Sequence, residues 1–117
     1  MKAEAALQEL VAELDRCIEE LAQARGRAEE LLVERRSGHT WTEIVAGEAR
    51  PLVVERISTV LASLARAGSA WRREQALALQ AENVSINRIA AMFGVTRQRI
   101  SALLRERDEP EGPPVEL

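Results

Sequence analysis

The sequence predicts an all-α protein: a long N-terminal helix and a helical platform, followed by three short helices. Three observations carry that expectation. No stretch of the 117 residues alternates apolar and polar side chains as a half-buried strand would. Apolar residues recur instead at three- and four-residue steps, and cap-forming residues punctuate the chain between those runs. Hydrophobic residues make up 46% of the chain and charged ones 30%, so a core can form; with only Trp41, Trp71 and Phe93 aromatic, that core must be aliphatic.

The first element is one helix from Ala3 to about Arg36. It contains no proline and only one glycine, Gly26, among residues that are mostly strong helix formers. A seven-residue frame places Leu7, Leu14, Leu21 and Ala28 at one seam position and Leu10, Cys17, Ala24 and Leu31 three residues further along, with Val11, Ile18 and Leu32 widening the stripe. Four such heptads imply helix-on-helix packing, within one chain or between two. The expectation is a homodimer through residues 3–36, with Leu7, Leu10, Leu14, Cys17, Leu21 and Leu31 as its contacts and help from residues 51–67. Cys17, lying on the seam, is expected to be a small buried apolar group rather than a reactive thiol.

Ser37-Gly38 ends this helix, because glycine beyond the last periodic residue accepts the left-handed conformation of a C-terminal cap. Thr40 with Glu43 has the form of a capping box and starts a short helix from Trp41 to about Ala46. His39 beside it is a loop residue, with no nucleophile grouped around it. Pro51 suits the first turn of the next helix, whose apolar residues Leu52, Val53, Ile57, Val60, Leu61 and Leu64 lead to Ala67; Gly68 is expected to stop it. Residues 1–68 thus form a scaffold, without a glycine-rich phosphate loop or paired inward carboxylates.

Ser69 is the expected cap of a helix reaching about Glu82, where Asn83 breaks it. Ser85 caps a second helix from Ile86 to Phe93, Gly94-Val95 makes a tight turn, and Thr96 caps a third from Arg97 to about Arg107. The spacing buries Ile89, Ala90, Phe93, Val95, Ile100, Leu103 and Leu104, with Trp71 also inside. Residues 108–117, with three prolines and a glycine among acids, are expected to be a disordered acidic tail.

Charge is distributed unevenly along these three parts. Residues 1–68 hold nine Lys+Arg against twelve Asp+Glu, residues 69–107 seven Arg against three Glu, and residues 108–117 four acids and no base. A segment of net charge +4 therefore lies inside a chain of net charge −3.

The segment from residue 69 to 107 resembles the bacterial helix-turn-helix regulators. In that family a small residue on the first of two helices lets the second cross closely, a glycine four residues later makes the turn, and a hydrophobe six beyond it anchors the recognition helix. Ala90, Gly94 and Ile100 stand at those positions, flanked by Ile89, Phe93, Val95 and Leu103. Asn83 departs from the glycine such sequences often carry, and Asn also tolerates the left-handed conformation. The Arg- and Ala-rich composition looks actinobacterial.

The resemblance implies double-stranded DNA as the partner and a recognition helix starting near Thr96. Thr96, Arg97, Gln98, Ser101 and Ala102 would meet base edges, Arg97 on guanine and Gln98 on adenine. Ser85, Arg72, Arg73, Arg88, Arg99 and Arg105 would meet phosphates. The expected function is sequence-specific DNA binding by a dimeric transcriptional regulator. The alternative is a protein-protein adaptor or antitoxin-like protein that uses the N-terminal helix. No catalytic residue, cofactor or metal site is expected, since one Cys and one His cannot supply a zinc site. With no apolar run approaching a membrane span, the expected location is the cytoplasm, at the nucleoid.

Overall fold

Five α-helices and no strand make up residues 2–106, the part of the chain that the computed structural model describes: α1 (Lys2–Arg36), α2 (Trp41–Gly47), α3 (Val53–Ala81), α4 (Ile86–Phe93) and α5 (Arg97–Arg105). The proline-rich acidic tail lies outside the described residues. No described helix is long and apolar enough to cross a membrane.

The helix ends follow local chemistry. At the end of α1, the amides of Gly38 and His39 donate to the carbonyls of Arg35 and Glu34, with Gly38 at φ 105°. The same pair of bonds closes α3 and α4: Asn83 and Val84 donate to Gln80 and Leu79, Gly94 and Val95 to Ala91 and Ala90, with Asn83 at φ 69° and Gly94 at φ 70°. Each is a Schellman motif, in which one left-handed residue lets two otherwise orphaned carbonyls find donors. At the start of α2 the capping box is complete, since the Thr40 hydroxyl accepts from the Glu43 amide and the Glu43 carboxylate accepts from the Thr40 amide.

Two expected boundaries move. Pro51 precedes the helix instead of sitting in its first turn: α3 starts at Val53, where the Glu55 carboxylate accepts from the Leu52 amide (2.8 Å) and the Glu48 carboxylate from the Val53 amide (3.0 Å). Gly68 does not stop α3, and Ser69 caps nothing. A glycine inside a helix costs roughly 0.5–1 kcal/mol relative to alanine. The half-buried Leu64, Ala67 and Trp71 follow one another at steps of three and four across the glycine, and that burial outweighs it.

Two compact units result, one ending at Trp71 and the other beginning at Arg72, so α3 contributes to both. In the first, α2 packs on α1 through the buried Ile44. There α1 and α3 run antiparallel, because the Ser63 hydroxyl donates to the Glu13 carboxylate and Arg56 stands 3.9 Å from Glu20. In the second, α4 packs on α5 over a core of Ala76, Ile89, Ala90, Ile100 and Leu103, closed by Leu79, Val84, Ile86, Phe93 and Leu104.

The α1 seam splits between two surroundings. Cys17 and Ala24 are buried within the single chain, and Leu10 and Leu31 are half-buried. Leu7, Leu14, Leu21, Val11, Ile18 and Leu32 remain exposed.

Candidate nucleic-acid interface

From Val84 to Arg105 the chain carries no acidic residue and four arginines. The fold then distributes them. Ile100 and Leu103 are the buried side of α5, and at about 100° per residue the opposite side is Gln98, Ser101, Ala102 and Arg105. Gln98 and Arg105 are exposed, while Ser101 and Ala102, nearer the shoulder of the core, are half-buried. Arg97 and Arg99 are exposed on the two flanks of this stripe. A ridge of small and amide side chains thus runs along the helix with a guanidinium on each side.

Thr96 is the N-cap of α5, its hydroxyl accepting from the Arg99 amide at 3.0 Å, and Ser85 caps α4 in the same way through the Arg88 amide at 3.1 Å. Both hydroxyls keep a proton to donate outward. Neither helix has an acidic residue in its first turn, so the positive ends of two helix dipoles are left unneutralised. Arg88, Arg97, Arg99 and Arg105 make no ion pair with any described residue.

Arg72 and Arg73, two of the four arginines of α3 and both expected on phosphates, are placed differently. Arg72 is exposed but its guanidinium lies 4.0 Å over the Phe93 ring and donates to Gln75. Arg73, expected on phosphates, is turned inward. Its Nε donates to the Glu106 carbonyl at 2.7 Å and its Nη1 to the Glu74 carboxylate at 2.8 Å, with only 15% of its side chain exposed. It is a structural clamp that holds the C-terminal end of α5 to α3 and satisfies the buried Glu74. Glu74, one residue after Arg73 and two before the fully buried Ala76, is the signal in the sequence that one arginine is already paired. Val95, expected inside, lies in the turn between the left-handed Gly94 and the cap Thr96 and is 41% exposed.

The first unit holds a cavity of about 330 Å³ bordered by Glu13, Cys17, Arg56, Val60 and Ser63. Its polar groups are turned toward one another. Hydrogen bonds from Ser63 and then Arg16 hold the Glu13 carboxyl below its ordinary pKa, while burial, with the bond to Glu13 behind it, pushes the Cys17 thiol up. A protonated thiol is a poor nucleophile. No three His, Cys, Asp or Glu side chains among the described residues are grouped to hold a metal ion. No protein-family model, curated protein or solved structure matches the chain.

Proposed function

We propose that the chain is a sequence-specific double-stranded DNA-binding protein, a transcriptional regulator that acts as a dimer, with α4 and α5 as a helix-turn-helix and α5 as its recognition helix. The observation that carries this reading is the acid-free surface from Val84 to Arg105, whose four arginines have no partner among the described residues. A solvated helix face ordinarily mixes both signs of charge to form local pairs, as α1 does with Arg25–Glu29 and Arg27–Glu30. A face of one sign is suited to a polyanion.

The roles follow from position. Gln98, Ser101 and Ala102 occupy the outward ridge and meet base edges, Gln98 through the N6 and N7 of adenine and Ala102 through a thymine methyl. Arg97, in the first turn, donates to the O6 and N7 of guanine, and Thr96 adds a hydroxyl beside it. Arg88, Arg99 and Arg105, with Ser85 and the free amides at the start of α4, bind phosphates on either side. Arg72 contributes charge from its place over Phe93.

Selection of duplexes from a random pool, followed by titration at several salt concentrations, tests the proposal. Affinity for the selected duplex falls steeply with salt. Arg97→Ala and Gln98→Ala each cost about 1–3 kcal/mol of discrimination at one base position. Arg105→Ala weakens all sequences alike and reduces the salt slope by about one. Binding no stronger than that of an unrelated acidic protein, or binding indifferent to all three substitutions, would refute it.

A further inference from the structure

The apolar residues that α1 leaves exposed follow a rule of their own. Leu7, Val11, Leu14, Ile18, Leu21, Arg25, Ala28 and Leu32 succeed one another at alternating steps of four and three, and seven of the eight are apolar. That is a heptad repeat with Leu7, Leu14, Leu21 and Ala28 at one core position and Val11, Ile18, Arg25 and Leu32 at the other, the pattern of a helix that packs against a second helix of matching repeat. It lies about a quarter turn from the buried row of Cys17 and Ala24, so the packing of α1 inside the chain does not use it.

On α3, Val54, Ile57 and Leu61 are likewise exposed, and they lie about a quarter turn from the buried Val60 in the same rotational sense. Because α1 and α3 are antiparallel, equal rotations from their shared contact bring both stripes to one side of the pair. The result is a single face two helices wide, on which Leu7, Val11, Leu14, Ile18, Leu21, Val54, Ile57 and Leu61 are 37% to 71% exposed. Contiguous apolar surface on this scale marks an interface.

We propose that this face docks a second copy of the chain about a two-fold axis, with α1 antiparallel to the partner's α1 and α3 antiparallel to the partner's α3. The proposal deepens the dimeric reading above, and the residues it uses belong to the first compact unit alone. Symmetry is what selects a second copy. The α1 repeat is self-matching about its midpoint between residues 19 and 20, which sets Leu7 opposite the partner's Leu32, Val11 opposite the partner's Ala28, and Ile18 opposite the partner's Leu21. The α3 stripe is self-matching between residues 57 and 58, with Val54 opposite the partner's Leu61. The ties from Glu13 to Ser63 and from Glu20 to Arg56 fix the register of the two helices and place residue 19 beside residue 57. The two midpoints therefore agree to within one residue, about 1.5 Å along the axis. A partner of unrelated sequence would impose no such coincidence.

Charge selects the orientation. Arg25 is the one charged member of the repeat. A parallel pair in register would set Arg25 against the partner's Arg25, whereas the antiparallel pair sets it opposite the partner's Leu14 and beside the partner's Asp15. The seam expected from the sequence is accordingly divided: Leu10, Cys17 and Leu31 serve the chain's own packing, and Leu7, Leu14 and Leu21 join Val11 and Ile18 between copies.

Light scattering and sedimentation of the full chain without DNA test the interface. The wild-type chain has the mass of two copies at tens of micromolar. Ile18→Asp and Leu61→Glu, at positions 65% and 58% exposed within one chain, each weaken the dimer by about a hundredfold or more while helicity by circular dichroism is kept. In a Cys17→Ala background, Ile57→Cys cross-links two copies on mild oxidation and Ala12→Cys, on the far side of α1, does not. A monomeric wild type, a dimer indifferent to both charged substitutions, association only with a different protein, or cross-linking at Ala12→Cys in place of Ile57→Cys would overturn the proposal. None of these outcomes depends on Gln98 or Arg97, so failure of the interface and failure of the DNA reading are separately visible.

Discussion

Three residues, Gly38, Asn83 and Gly94, accept the left-handed backbone that closes a helix, and another glycine, Gly68, does the opposite by lying inside one. The contrast yields a paired prediction. A methyl group at Gly94 meets nothing within 4 Å, so Gly94→Ala loses stability only through its backbone, by about 1–2 kcal/mol. At Gly68 the same added methyl also meets nothing, but the helical backbone suits alanine, and Gly68→Ala gains roughly 0.5–1 kcal/mol. Urea denaturation of the two variants checks both signs. Gly38, Asn83 and Gly94 were legible as stops because the apolar period ends with them. Gly68 reads as a stop in the sequence because glycine itself carries no mark of whether the period resumes, and at Trp71 it does.

Among the elements, α5 is held from two sides. Ile100 is fully buried in the cluster with Ile89 and Ala76, and Ile100→Ala is expected to cost about 2–5 kcal/mol, in the range found for emptied core positions. At its C-terminal end the Arg73 guanidinium binds the Glu106 carbonyl and the Glu74 carboxylate. Arg73→Ala leaves Glu74 buried without that partner and should lower stability by about 1.5–3 kcal/mol, the scale of hydrogen bonds to charged groups. The diagnostic is that thermal melting drops while the salt dependence of DNA binding is unchanged, the reverse of Arg105→Ala. Periodicity made Ile89, Ala90, Ile100 and Leu103 legible as core. The central place of Ala76 was not, since a small residue in an Ala-rich helix looks the same on either face, and only the approach of α4 and α5 makes its position matter.

Across the whole molecule, acid should loosen the α1–α3 pairing before it disturbs α4 and α5. Glu13 is held below its ordinary pKa of 4.5 by Ser63 and Arg16. A depressed carboxylate contributes stability that is complete above the unfolded pKa and is lost as pH falls through the folded one. Melting temperature should therefore be level near neutrality and fall below about pH 4.5, and Ser63→Ala should flatten that acid arm by letting the Glu13 pKa rise. Thermal melts followed by circular dichroism at a series of pH values report it. Melting temperature should also rise with protein concentration, because association of folded copies stabilises them by mass action, and Ile18→Asp should abolish that dependence.

The amino-acid sequence by itself determined the all-helical class, the long N-terminal helix, most of the helix ends and Ile89, Ala90, Ile100 and Leu103 as core of the second unit, because caps, turns and periodicity act over a few residues and need no distant partner. It also showed the basic segment hidden in an acidic chain. The tertiary structure decided which half of the α1 stripe is covered within the chain, that Arg73 is a clamp, and which residues of α3 lie beside which residues of α1. Those facts depend on residues fifty or thirty-three positions apart, such as Glu13 with Ser63 and Arg73 with Glu106, being brought together. A local pattern can say that a side chain seeks burial; only packing says against what.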